Sequence, residues 1–255
     1  MRRLFTFGCS FTQYWRWPTW ADIIGREFDK FENWGICGTG NPAIQYNLVE
    51  CHQRHNLGPN DTVLIMWTNT AREDRYVGNR WLEGGNVYWS TGSQYPPGWV
   101  AKFACERGYF IRDVAIITAT RHLLDHWGCQ YRFLSMIPLT DSNQQSELGN
   151  NPEDPNGYTQ DVAELYQRTL NLISPSVYET VFDSDWRSRP GIPDSFDSRT
   201  RDFHPTPEEH LEYCDRILPE FEISAKTRSW AHTITDSMMA GRPFTWTEPN
   251  RPHRL

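Results

Sequence analysis

Three residues of this 255-residue chain stand where their types allow nucleophilic chemistry: Ser10, His204 and Asp202. Ser10 lies in the run Arg3-Leu4-Phe5-Thr6-Phe7-Gly8-Cys9-Ser10-Phe11-Thr12, where an apolar stretch reaches a glycine and then a hydroxyl residue. A short buried strand that ends in Gly-x-Ser ahead of a helix puts the hydroxyl at the carboxyl edge of a sheet, where open α/β sheets bind ligands. Ser10 is read as a nucleophile, and a serine hydroxyl attacks well only when a neighbouring base takes its proton. The segment Arg201-Asp202-Phe203-His204-Pro205-Thr206-Pro207-Glu208-Glu209 offers that base. Thr206 and Glu209 have capping-box spacing and Pro207 takes the first helical position, so His204 falls in a short loop before a helix. Asp202, two residues earlier, can orient the imidazole as a general base.

The elements that must position these groups follow from periodicity. Trp20, Ile23, Ile24 and Phe28 share one helical face. The stretch from Phe31 to Pro42 reads as a short strand, a glycine-rich turn and a helix capped by Asn41, which buries Ile44, Leu48 and Cys51. Thr62 to Trp67 is a continuous apolar run, the pattern of a strand covered on both faces. Residues 76–108, with Trp81, Trp89 and Trp99, have no sustained period and read as an aromatic-rich insertion. Helical spacing resumes at Phe110 and runs to Trp127-Gly128, a strand covers Tyr131 to Ile137, and residues 139–158 form a second loop. Val162, Leu165 and Leu172 suggest a further helix, and Tyr178 to Phe182 a short last strand. The helix after His204 buries Leu211, Cys214, Ile217 and Leu218. Past about residue 225 the pattern weakens. Strands alternating with helices imply parallel βαβ units in a three-layer α/β/α sandwich. Residues 1–225 are read as this domain and 226–255 as a carboxyl-terminal extension.

The blocks Gly8-Cys9-Ser10-Phe11, Asn33-Trp34-Gly35-Ile36-Cys37-Gly38, Trp67-Thr68-Asn69 and Asp202-Phe203-His204-Pro205 occur in one order along the chain. In that order they resemble the four signature blocks of the SGNH (GDSL-type) hydrolase superfamily of esterases and lipases. The resemblance implies a flavodoxin-like sandwich with a central parallel sheet and a serine-dependent ester hydrolase. It implies Ser10 as nucleophile, His204 as base and Asp202 as acid, with an oxyanion hole built from the Ser10 and Gly38 N–H groups and the Asn69 amide. The chain departs from the family pattern at several positions. Cys9 replaces the usual aspartate, Trp67-Thr68 replaces two glycines, and Thr70 replaces another aspartate. Arg201 occupies the usual place of the acid, three residues before the histidine. These departures leave two alternatives each for the hole donor (Asn69 or Thr68) and for the acid (Asp202, or none in a Ser–His dyad).

Composition sets the remaining limits. A net charge of −7 gives no global attraction to nucleic acid. The six cysteines form no Cys-x-x-Cys pair, a pattern that suits free thiols in a reducing compartment. No run approaches the roughly 20 apolar residues of a membrane span, and the opening apolar run is too short for a signal peptide, so the expected setting is cytoplasmic. His122 and His126 are spaced i, i+4, but no glutamate follows the first as a zincin motif requires. No metal or cofactor is expected. The expected partner is a small-molecule or glycan ester, with neither nucleic acid nor membrane. Tryptophan and tyrosine faces stack on sugar rings, which makes Trp81, Trp89 and Trp99 candidate substrate contacts and an O-acylated carbohydrate a candidate substrate. Arg72, in the turn after Asn69, is a candidate for holding a polar substrate group. The contrasting reading is a non-catalytic glycan-binding or structural accessory protein on the same fold.

Overall fold

Side-chain alternation in the first and third strands divides the core in two. In the computed structural model, which describes residues 2–82, 85–88, 94–140, 160–185, 191–193 and 201–246, β1 (Arg3–Phe7) and β3 (Asp61–Trp67) pair in parallel. The period of two sends Leu4, Leu64 and Met66 to one face and Phe5, Phe7, Val63, Ile65 and Trp67 to the other. β2 (Lys30–Asn33) joins β1 and β6 (Gln130–Ser135) joins β3, giving a parallel four-stranded sheet in the order β2-β1-β3-β6.

Each face is covered, as an all-parallel sheet requires. The helices α2 (Asn41–His55) and α4 (Glu106–Trp127) pack Ile44, Leu48, Phe110, Val114 and Ile117 against the Phe5 face. The Leu4 face receives α1 (Trp20–Gly25), α7 (Val177–Val181), α8 (Pro207–Ile217) and α9 (Ala225–Met239). The architecture is therefore the α/β/α sandwich that the alternation of elements predicts. No helix among the described residues is long and apolar enough to cross a membrane.

Smaller pieces complete the described structure. A hairpin of β4 (Arg75–Val77) and β5 (Arg80–Leu82) and the helix α3 (Pro97–Phe103) occupy part of the insertion, and α4 starts before the first residue of the expected spacing. The expected helix around residues 162–172 is two short ones, α5 (Gln160–Leu165) and α6 (Gln167–Leu170), with Val162 buried and Leu165 78% exposed. The two-residue strands β7 (Ile192–Pro193) and β8 (Arg201–Asp202) pair antiparallel just before His204. Most of the second loop, Trp89 and residues 247–255 lie outside the described residues.

Two local expectations are corrected. The segment Tyr178 to Phe182 is not a strand but belongs mostly to α7, because Ser176 and Glu179 close a capping box that starts a helix. Its β-branched and aromatic residues fit a strand equally well, and the cap decides. Asn41 does not cap α2. Gly40 is the N-cap, and the carboxylate of Asp74 accepts hydrogen bonds from Gly40 N (2.8 Å) and Ala43 N (3.0 Å), leaving the Asn41 side chain for other partners. Past residue 225 the weak periodicity conceals α9, started by the Ser224 hydroxyl accepting from Thr227 N, whose Ala231 and Ile234 are buried.

Candidate active site

Ser10 follows β1 in a tight turn, with Thr12 N and Gln13 N both donating to Cys9 O at 2.9 and 3.0 Å. The turn demands a glycine at position 8. A Cβ there would stand 2.1 Å from Thr12 Oγ1 and 2.9 Å from the backbone oxygen of Met66. The turn is braced from β2, where Asn33 Nδ2 donates to Thr12 O at 2.8 Å while Asn33 Oδ1 accepts from Gly35 N. The chain then continues beside β1, with Ile36 N donating to Gly8 O at 2.9 Å, and turns at Gly38, whose φ of +78° is one that glycine adopts without strain. Ser10 and Gly38 thus sit on adjacent turns at the carboxyl edge of the sheet. Neither N–H donates to a backbone carbonyl among the described residues.

His204 reaches this edge from the far end of the chain. Its Nδ1 lies 2.8 Å from Asp202 Oδ1, and the same oxygen accepts from His204 N at 3.0 Å. The second oxygen, Oδ2, accepts from the Tyr14 hydroxyl and from Arg16 Nη1 at 2.8 Å. Four hydrogens therefore converge on a carboxylate only 6% exposed. Burial works to raise the Asp202 carboxyl, but the hydrogen bonds from His204 and Tyr14 outweigh it and hold Asp202 well below the usual carboxylate range. Burial and the bond to Asp202 push the Tyr14 phenol up. With Nδ1–H assigned to Asp202 by this network, the other ring nitrogen, Nε2, is the one left to accept a proton.

The segment 11–17 between the serine and α1 clamps this loop. Tyr14 stacks on the imidazole with ring centroids 4.1 Å apart and planes 15° apart, and Phe11 meets it edge-on at 5.5 Å. Trp17 Nε1 donates to Pro205 O at 2.7 Å. The imidazole thus stands beside the turn that carries Ser10. No hydrogen bond joins His204 to the Ser10 hydroxyl. Catalytic hydrogen bonds are often long in the absence of substrate.

The third component lies after β3. Asn69 is buried, and its Oδ1 accepts from Ala71 N at 2.5 Å, which fixes the amide so that Nδ2 is its free end. Nδ2 has no hydrogen-bond partner. A buried donor left unpaired costs roughly 1–3 kcal/mol, so it demands an explanation. Thr68 differs. Its N–H donates to Asn41 Oδ1 at 2.9 Å, its carbonyl accepts from Asn41 Nδ2 at 3.1 Å, and its hydroxyl faces Met136 Sδ at 3.8 Å. Of the two alternatives for a hole donor, only Asn69 carries an uncommitted one.

The other sequence candidates have structural engagements. Arg72 Nη1 donates to Thr39 O at 2.7 Å, tying the turn after Asn69 to the turn after Gly38. Trp81 stacks on Tyr46 at 5.3 Å and meets Tyr76 edge-on. Trp99 stacks on Tyr95 at 4.5 Å, with the Arg75 guanidinium over its ring. These rings present faces to one another. Among the described residues no cluster of three or more His, Cys, Asp or Glu could hold a metal ion. Tyr14, Arg16 and Trp17 are the site residues that sequence reasoning missed. The only sequence signal for them is the run of aromatics and one arginine before Pro18, which has no period and gives no hint of a partner 186–188 residues away.

No protein-family model and no curated protein matches the chain. Several solved structures are similar to it at low identity. A member of the lipolytic G-D-S-L family from Veillonella parvula is 12% identical, the match covering 87% of this chain and 98% of that one at a TM-score of 0.46. A psychrotrophic esterase from a Pseudoalteromonas species, inhibited by monoethylphosphonate, is 10% identical over 84% and 96% of the two chains at 0.43. A GDSL-like lipase from Bacteroides thetaiotaomicron is 15% identical over 86% of each at 0.40. The matches are long in extent and loose in superposition, and the chemistry of the site rests on its own geometry.

Proposed function

We propose that this protein is a serine-dependent ester hydrolase in which Ser10 forms an acyl-enzyme. His204 Nε2 takes the Ser10 proton as Oγ attacks the ester carbon and returns it to the leaving alcohol. Water then attacks the acyl-enzyme with the same imidazole as base. Asp202 holds the tautomer with hydrogen on Nδ1 and stabilises the imidazolium. The Asn69 amide, with the N–H groups of Ser10 and Gly38, donates to the oxyanion of each tetrahedral intermediate. The acid two residues before the histidine serves because Tyr14 and Arg16 saturate its far oxygen and leave the near one for the imidazole. A small O-acyl group, such as an acetyl on a carbohydrate hydroxyl, is the proposed substrate class.

One observation carries this reading: an imidazole bonded to a buried, four-fold satisfied carboxylate stands against the turn of Ser10, on the sheet edge that also holds Asn69 with its unpaired buried Nδ2. A second reading, a non-catalytic binding module, draws on the absence of a hydrogen bond between Ser10 and His204. A fluorophosphonate probe separates the two. The hydrolase reading requires a covalent adduct on Ser10 that disappears in His204→Ala, together with release of 4-nitrophenol from 4-nitrophenyl acetate. Absence of both in the folded protein refutes the hydrolase reading and favours the binding module.

A further inference from the structure

The two turns that would frame the oxyanion are latched to each other by a buried polar cluster with no place in the chemistry described so far. At its centre is Asn41, wholly buried in the first turn of α2. One edge of its amide forms a two-point contact with the Thr68 backbone, accepting from Thr68 N at 2.9 Å and donating to Thr68 O at 3.1 Å. The same Nδ2 donates to Asp113 Oδ2 at 2.8 Å. Asp113, wholly buried on α4, accepts from Arg112 Nε at 2.7 Å. Arg112 then reaches the far side of the Asn69 turn, donating to Thr70 O at 3.3 Å and Arg72 O at 2.8 Å, and pairs with Glu73 at 3.1 Å.

Asn69 is therefore flanked by held peptides: Thr68 by Asn41, and Thr70 by Arg112. The return contacts run the other way, from Arg72 to Thr39 O and from Asp74 to Gly40 N and Ala43 N. The bonds to the segment 68–74 come from the segment 39–43 or from α4, the Asn41–Asp113 bond joins those two, and the Arg112–Asp113 bond lies within α4. A hydrogen-bonded polar network inside a protein rigidifies the elements it joins. What it fixes here is the distance between the Gly38 turn and the unpaired Asn69 Nδ2.

We propose that Asn41, seated between Asp113 and the Thr68 backbone, is a positioning residue that sets the Asn69 amide relative to the Gly38 turn. The proposal rests on the hydrolase reading above, because its effect on rate passes through Asn69. Asn41 has no contact with substrate in this role. Asn41→Ala removes both bonds to Thr68 and the bond to Asp113, freeing the Asn69 turn to move. Displacement of a catalytic group by about 1 Å costs on the order of 10²-fold in rate.

The test is a double-mutant cycle on 4-nitrophenyl acetate with Asn41→Ala, Asn69→Ala and the pair. The expected result is a fall in kcat of about 10²-fold for Asn41→Ala, with KM unchanged and no further loss when it is added to Asn69→Ala. Losses that multiply, or a loss carried by KM, overturn the proposal. If Asn41→Ala does not fold, Arg112→Lys replaces it in the cycle. A lysine can keep the pair with Asp113 but cannot hold the Thr70 and Arg72 carbonyls together, and its loss should likewise vanish in the Asn69→Ala background. Lack of turnover by the wild type refutes the hydrolase reading alone. A second readout then decides the positioning role: the Asn69 side-chain amide resonances, identified by their loss in Asn69→Ala. These should shift or broaden in whichever of Asn41→Ala and Arg112→Lys folds, and unchanged resonances contradict the inference.

Discussion

Replacing Asp202 by asparagine forces a choice that the wild-type carboxylate avoids. Its two oxygens accept four hydrogens, two from His204, one from Tyr14 and one from Arg16. An asparagine has one oxygen and an NH2 group. If the oxygen faces His204, the NH2 confronts the Tyr14 hydroxyl and the Arg16 guanidinium, whose side chain is only 10% exposed. Breaking a buried ion pair by removing one member costs about 3–5 kcal/mol. If the oxygen instead faces Tyr14 and Arg16, the NH2 meets His204 Nδ1 and drives the ring hydrogen to Nε2, where a base is needed. In the Ser–His–Asp enzymes the wrong tautomer costs about 10⁴ in kcat. Because the first orientation turns N–H groups toward the Arg16 charge and the Tyr14 hydroxyl, the second should prevail. Asp202→Asn is then expected to fold with a small stability loss and to lose about 10⁴ in kcat. Kinetics on 4-nitrophenyl acetate, urea unfolding and nitrogen NMR of the imidazole read the three quantities. A variant within tenfold of wild-type kcat that is also nearly as stable would refute the assignment of Asp202 as the group that orients His204.

The same carboxylate predicts a pH dependence of stability. Its folded-state pKa lies below the unfolded value, so its contribution is complete above the unfolded pKa of about 4 and is lost as pH falls toward the folded value. Urea midpoints between pH 6 and pH 2 should therefore fall less steeply for Asp202→Asn than for wild type, and parallel curves would count against the bonding described. Asn69→Ala should lower kcat roughly 10²–10³-fold while KM stays near wild type, measured on the same ester. Trp81→Ala should affect a small aryl acetate and an acetylated oligosaccharide equally, because the Trp81 ring is already stacked on Tyr46. A loss confined to the oligosaccharide would restore Trp81 as a sugar platform.

What the sequence makes legible is what short-range chemistry decides. The apolar runs of β1 and β3 and the capping box of α8 are set by neighbours within a few residues, and the helix and strand boundaries follow closely. Ser10, Asn69 and His204 are legible because each stands next to such an element. The bonds that hold them are not legible. Tyr14 and Arg16 reach Asp202 across most of the chain, and nothing local to Trp15-Arg16-Trp17 marks that partner. Asn41 has every local feature of a cap, and only the arrival of Asp74 from 31–34 residues away relieves it of that duty. At Pro175-Ser176 and Ser224 the caps of α7 and α9 are present in the sequence but precede helices too short or too weakly periodic to stand out.

The central claim, that Ser10 becomes acylated with His204 as its base, is tested most directly by trapping the intermediate. Acid quenching of the protein during turnover of 4-nitrophenyl acetate, followed by peptide mass spectrometry, should find an acetyl group on Ser10 in the wild type and none there in His204→Ala. Turnover with no acyl group on Ser10, or acylation of another side chain such as the nearby thiol of Cys37, would contradict it.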